Sequence, residues 1–167
     1  AVSCERAGIM DGQEILDLGC GWGSLSLWIA RHFPRCRVLA VSNSRIQAQF
    51  IRKRCAELGV DRVEVVTADM NDFATDRLFD RVVSVEMFEH VRNHPELFRR
   101  LRHWVRDDGA VFAGAGHPAG EVEVWRILES VTPFSTVDRF FPDLDPSILA
   151  RERPMLEPHG LRHDPET

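Results

Sequence analysis

Apolar and polar positions in the first 113 residues follow two alternating periods. Short, near-continuous apolar runs at 14–18 (EILDL), 37–42 (RVLAVS), 63–68 (VEVVTA), 79–85 (FDRVVSV) and 110–113 (AVFA) read as strands buried on both faces, the pattern of a parallel sheet. Longer stretches with apolar residues at helical spacing separate them. Residues 3–10 predict a short lead-in helix. Residues 24–33 predict a second, with Leu25, Leu27, Trp28 and Ile29 on its apolar side and Pro34 as its stop. Residues 44–58 predict a third, with Ser44 as N-cap and Gly59 past its end. Residues 69–77 read as mostly loop. A helical region opens at Glu86 or Met87, breaks near Asn93-His94-Pro95 and continues over 95–105. Asp107-Asp108-Gly109 reads as a turn into the fifth strand. This order predicts an α/β fold, an open parallel sheet with helices on both faces.

The pattern changes near residue 114. Seven of the nine prolines lie in 118–167, a density that leaves little room for long helices or central strands. A helix over 121–131 is expected there, then irregular chain, above all from Arg151 on. The sheet is thus expected to be incomplete after its fifth strand. The chain is expected to divide into a 1–113 core and a 114–167 acidic, Pro-rich tail. Charge follows the same division: residues 1–113 carry 16 acidic and 16 basic side chains, and 114–167 carry 10 and 5, which supplies the whole net charge of −5. Neither part has the basic excess of a nucleic-acid binder, so no nucleic-acid partner is expected. Arg52-Lys53-Arg54 reads as a solvated helix face.

Targeting signals and cysteines narrow the class further. No apolar run approaches the ~18 residues of a membrane span. The start, AVSCER, has no signal-peptide pattern, and the missing initiator Met predicts a fragment. The four cysteines, at 4, 20, 36 and 55, have no zinc spacing, so no metal site is expected. Reduced thiols of this kind point to a cytoplasmic location.

The candidate chemistry gathers at the strand ends. After the first strand, Asp17-Leu18-Gly19-Cys20-Gly21-Trp22-Gly23 places an acidic residue before three alternate glycines and a helix. Such a turn lets a ligand approach bare backbone at a helix N-terminus. Dinucleotide folds carry G-x-G-x-x-G, whereas here Ser24 takes the third glycine's position. The Asp-x-G-x-G-x-G form suits S-adenosylmethionine, which has an ammonium group and no pyrophosphate. Asp17 is expected to help hold that ammonium, often through water, and Cys20 to serve by its small size. At the usual ribose site after the second strand there is no carboxylate. Asn43 and Gln47, one helical turn apart, offer amides instead. Ser42, Ser44 and Arg45 leave open a rival, the 2′-phosphate of NADP. After the third strand, Asp69 is expected to accept from an adenine amino group and Met70 to pack on the ring, with a simple turn cap as the alternative. After the fourth strand, Glu86, Glu89 and His90 share one helical face. Methyl transfer to an amine needs a free lone pair, so Glu89 and His90 are the candidate bases. Glu86 is expected to contact the cofactor or orient its neighbours. A metal reading of His90 and His94 lacks the Glu of a zinc-protease helix, since Val91 stands there.

Taken in order, ILDLGCGWGSLSLWIA (15–30), VSNSRIQ (41–47), ADM (68–70) and FDRVVSVEMFEHV (79–91) resemble the cyclopropane-fatty-acyl-phospholipid synthase family in its wide sense. That family includes the coclaurine-type N-methyltransferases, and the resemblance covers residues 13–92. It implies a Rossmann-like fold that uses S-adenosylmethionine, with cofactor contacts at Gly19, Gly21, Asn43, Gln47, Asp69 and Met70; Gly23 completes the glycine turn. In the N-methyltransferase branch, the positions matching Glu89 and His90 act on the acceptor amine. In the cyclopropane branch, the position matching Glu89 helps hold a bicarbonate base. The wording around 42–44 and 86–90 leans toward the amine side. Two departures stand out. Only about a dozen residues precede the first strand, where the family has a covering segment. From Phe112 to Pro118 the chain leaves the family pattern, so His117 is not carried over as a site residue.

The resulting expectation is an enzyme, a methyltransferase acting on a small amine or an unsaturated acyl lipid, the latter with peripheral membrane contact. A truncated, non-catalytic relative that binds cofactor or partner only is the first alternative, and an NADP-dependent oxidoreductase the remote one.

Overall fold

The computed structural model describes residues 2–85, 87, 91, 93–116 and 122–129. Its elements are α1 (Val2–Arg6), β1 (Glu14–Leu18), α2 (Ser24–His32), β2 (Arg37–Ser42), α3 (Arg45–Leu58), β3 (Val63–Thr67), β4 (Phe79–Val85), α4 (His94–Trp104), β5 (Val105–Gly116) and β6 (Val122–Glu129). They form one six-stranded sheet in the order β3-β2-β1-β4-β5-β6. The first five strands run parallel, and β6 pairs antiparallel to β5. β1 sits between β2 and β4, so the strand order reverses beside it. Open sheets of this kind bind ligands at that reversal, beyond the carboxyl strand ends.

Successive side chains point to opposite faces of a strand, and both faces here are apolar. Leu16, Leu18, Leu39, Val41, Val82, Val111 and Ala113 pack under α4, against Leu97, Phe98, Leu101 and Trp104. On the other face Ile15, Val38, Val83 and Phe112 meet Ile29 of α2 and Cys4 of α1. Ala40 and Val65 meet Ala48, Ile51 and Cys55 of α3 on that same face. Helices therefore cover both faces, as the continuous apolar strands require. Residues of α3 repeat every third or fourth position inward, while Arg52, Lys53 and Glu57 stay outside. Ser44 caps α3 by accepting from the Gln47 N–H, and Gly59 closes it in the left-handed region.

Two expectations change after α4. The Asp107-Asp108-Gly109 turn lies inside β5, where the register jumps from Phe79↔Val105 to Arg81↔Ala110. Three extra residues bulge out between those pairs, with Arg106 reaching Asp80 at 3.2 Å. The expected helix over 121–131 is instead β6, paired from Gly116↔Val122 to Ala110↔Glu129. The stretch VEVWRILE carries Val122, Val124 and Ile127, and β-branched residues beside an unpaired sheet edge satisfy more backbone groups as a strand than as a lone helix. The sheet thus runs across residue 113, where composition alone changes. No helix among the described residues is long and apolar enough to cross a membrane.

Burial, and not surface charge, holds this architecture. Leu101 is fully buried between α4 and the sheet, so Leu101→Ala is expected to cost ~3 kcal/mol in urea unfolding. Arg54 pairs with Glu57 at 2.5 Å, both half exposed, and Arg54→Ala is expected to cost ~0.5 kcal/mol or less. Equal losses in the two variants would contradict this division.

Candidate functional site

The carboxyl ends of the strands are stitched to one another sideways. Gly19 and Cys20 both donate backbone N–H groups to the Val41 carbonyl, at 3.0 and 2.9 Å. Ala68 N–H donates to the Ser42 carbonyl at 3.0 Å. The Ser84 hydroxyl donates to the Leu18 carbonyl at 2.7 Å. These bonds draw the glycine turn, the end of β2 and the loop after β3 around one cleft of about 650 Å³. Its wall includes Gly19, Gly21, Asn43, Gln47, Asp69 and Met70, with Val41, Ser42, Ala68, Asn71, Met87 and Val91.

Glycine is required at two points of the turn. A Cβ on Gly19, at φ +78, would sit 2.7 Å from the Met87 side chain. On Gly23, at φ +75, it would sit 2.7 Å from Ile51, which is fully buried. In front of Gly21 a Cβ would meet nothing within 4 Å, so that backbone faces free space in the cleft. Burial pushes the Cys20 thiol up to about 12, leaving it un-ionised at neutral pH.

The amide side of the cleft is ordered by a short relay. Ser44 N–H donates to Ser42 Oγ at 3.1 Å, and Ser42 Oγ donates to Gln47 Oε1 at 2.7 Å. On the far side, Asp69 Oδ1 accepts from both the backbone and side-chain amides of Asn71, each at 2.8 Å. Asp69 therefore closes the turn as well as lining the cleft. Arg100 of α4 secures this loop, donating from Nη1 to the Met70 carbonyl at 3.0 Å and from Nε to Glu96 at 2.8 Å. Hydrogen bonds from Arg99 and Arg100 hold the Glu96 carboxyl down at about 2.

The cleft brings together six of the residues expected at a cofactor site: Gly19, Gly21, Asn43, Gln47, Asp69 and Met70. Asp17 and Gly23 stand behind them. Asp17 points to the α2 side of the sheet and accepts from the Ser26 hydroxyl at 2.5 Å, and it is 2% exposed. The position two before the glycines falls on β1 itself, so strand alternation turns its carboxylate inward. Gly23 starts α2 and serves close packing. Glu86, Glu89 and His90 lie outside the described residues. Asn71 and Met87 are cleft residues that the sequence does not single out as ligand contacts, and Ser42 is one that it offers only to a 2′-phosphate. An Asx turn opened by Asp69 signals Asn71, whereas Met87 joins only through tertiary packing.

The donor set fits a nucleoside carrying a small charged group. Apolar Val41, Ala68, Met70, Met87 and Val91 offer ring contacts, and the amides and Asp69 offer polar ones. Among the described residues, no Lys or Arg lines the cleft. Ser42 gives its hydroxyl proton to Gln47, so it has none to offer the 2′-phosphate that NADP would bring. A glycine turn, this strand order and a cleft at the strand ends are features of the Rossmann-like fold shared by S-adenosylmethionine-dependent methyltransferases.

Known proteins sharpen that class. The chain belongs to the mycolic acid cyclopropane synthetase family, whose model matches residues 1–123. The match continues past the composition change near residue 114 and into β6. It is 41% identical over 108 residues to (S)-coclaurine N-methyltransferase of Papaver somniferum, covering 65% of this chain and 31% of that protein. It is 37% identical over 112 residues to a probable fatty acid methyltransferase of Pseudomonas putida, covering 65% and 28%. A crystal structure of coclaurine N-methyltransferase with N-methylheliamine and S-adenosylhomocysteine superimposes with a TM-score of 0.67 at 39% identity, over 68% of this chain and 34% of that one. The chain thus spans about a third of the length of these relatives.

Asp17 gives the fold a pH signature. Burial lifts its carboxyl from 3.8 to about 6, against the opposing Ser26 hydrogen bonds. A raised acid contributes stability that is full below its unfolded value near 4 and lost as pH rises through 6. The span of about two pH units corresponds to roughly 3 kcal/mol. Asp17→Asn is therefore expected to flatten the fall in unfolding free energy between pH 4 and 6. Parallel wild-type and variant profiles in urea titrations would refute it.

Proposed function

We propose that this chain binds S-adenosylmethionine in the cleft at the β1–β2 strand ends and supports methyl transfer to a small amine. The observation that carries the reading is the convergence of Gly19, Gly21, Asn43, Gln47, Asp69 and Met70 on one cleft. Bound there, S-adenosylmethionine supplies an electrophilic methyl group on a cationic sulfur. Gly19 and Gly21 give it bare backbone to lie against. Asn43 and Gln47 hold the ribose hydroxyls, Asp69 accepts from the adenine amino group, and Met70 packs on the ring. Asp17 acts from behind the turn, where its negative charge favours the ammonium end.

Glu89 and His90 take the proton that an amine must lose before its nitrogen lone pair can act as a nucleophile. Glu86 contacts the cofactor or orients these two. Holding acceptor and methyl group in line supplies most of the acceleration for such a displacement. The amine is favoured by the 41% identity to a coclaurine N-methyltransferase and by the N-methylheliamine held in its relative's crystal structure. An unsaturated acyl lipid is the second acceptor class, supported by the fatty acid methyltransferase relative; it brings peripheral contact with a membrane surface. The four free thiols support work in a reducing, cytoplasmic compartment.

Calorimetry with S-adenosylhomocysteine tests the first half. Saturable binding is expected, and Gly21→Asp, at φ +54 with its carboxylate in the cleft, is expected to weaken it at least about tenfold, some 1.4 kcal/mol. Absence of wild-type binding would sink the reading. Glu89→Gln and His90→Ala test the second half. Each is expected to cut methyl transfer to a cyclic secondary amine by about 100-fold, with S-adenosylhomocysteine affinity unchanged. Binding without turnover on any amine or unsaturated lipid would favour the non-catalytic alternative.

A further inference from the structure

We infer that Ser42 is a positioning residue that sets the hydrogen-bonding polarity of the ribose subsite through Gln47. The inference rests on the cofactor reading above and adds how that subsite recognises its ligand. Ser42 has one hydroxyl proton. Its oxygen accepts from Ser44 N–H at 3.1 Å, and its proton goes to Gln47 Oε1 at 2.7 Å. An amide oxygen can only accept, so the 2.7 Å contact to Gln47 Oε1 takes the hydroxyl proton and sets the direction of the relay. Gln47 Oε1 is thereby used as an acceptor, and the amide nitrogen is left to present N–H donors to the cleft that Gln47 lines. A side-chain amide without this partner can present either its oxygen or its nitrogen by a half-turn about its last torsion.

The same relay fixes position as well as polarity. Gln47 sits in the first turn of α3, where its own backbone N–H is held by the Ser44 cap at 3.4 Å. Ser42, at the end of β2, is 3% exposed and cannot move with solvent. Backbone and side chain of Gln47 are therefore both tied to the strand end that faces the cleft. A carboxylate at such a subsite accepts protons from ribose hydroxyls. Here a donor is presented instead, and the ligand must offer oxygen lone pairs. A ribose hydroxyl does so, while a deoxygenated ribose does not.

The test is calorimetry on the full chain with two probes, S-adenosylhomocysteine and its 2′,3′-dideoxyribose analogue. Wild type is expected to prefer the hydroxylated probe by about tenfold, and Ser42→Ala to reduce that preference to about twofold by releasing Gln47, on the scale of one net hydrogen bond. Ser42→Thr, which keeps the hydroxyl, is expected to restore it. Gln47→Leu is expected to reduce the preference at least as far as Ser42→Ala does, Asn43 keeping the remainder, and adding Ser42→Ala to it to change nothing more. A preference unchanged in Ser42→Ala, equal loss of affinity for both probes, or additive effects in the double variant would overturn the inference. If Ser42→Ala does not fold, judged by its melting transition, wild type and Gln47→Leu still decide it: equal probe preferences in those two would overturn it. Wild-type failure to bind either probe would instead refute the cofactor reading itself.

Discussion

The Val41 carbonyl is the point on which the site depends. It accepts from Gly19 and Cys20 together, and so holds the glycine turn against the end of β2. Both donors belong to a turn whose backbone runs through the left-handed region at Gly19, Gly21 and Gly23. Without that shared acceptor, two N–H groups at a partly buried strand end would need other partners. With it, the turn, the amides after β2 and the loop after β3 become walls of one cleft. The Ser84 hydroxyl and the Ala68 N–H repeat the device on either side.

These few bonds are effective because the sheet beneath them is rigid. Apolar side chains from both faces of β1, β2, β4 and β5 are buried under helices, and their burial supplies the bulk of the stabilising free energy. The ion pairs Arg35–Asp11, Arg77–Glu64 and Arg99–Glu96 lie at exposed positions, where screening leaves each worth little. Arg100 differs by what it reaches. It spans from α4 to the Met70 carbonyl, and so couples the helix that follows the 86–91 segment to the loop expected at the adenine ring.

The comparison of expectation with structure divides along a physical line. Strands β1 to β4 and helices α2 to α4 were legible because their periodicities are strong and local, and their caps and stops are chemically specific. The cleft residues Gly19, Gly21, Asn43, Gln47, Asp69 and Met70 are legible because each follows a strand's carboxyl end within about one helical turn, where topology brings them together. Asp17 was assigned to the ligand from its spacing before the glycines, yet strand alternation turns it toward Ser26. β6 was missed because a lone VEVWRILE carries no helix-or-strand decision of its own. The free edge of β5 made that decision.

The sequence by itself determined the class of fold, the glycine turn and its acidic neighbour, and the order of polar residues along the strand ends. Those features are written in spacing and in residue type. Only the tertiary structure decided which of them share a surface. It set Gly23 against Ile51, Met87 over Gly19, and Ser42 against Gln47, contacts made by close packing and by hydrogen-bond direction. The packing contacts join residues far apart in the chain, and the Ser42–Gln47 bond, though only five residues long, depends on side-chain orientation, so neither has a signature in the pattern of apolar and polar residues.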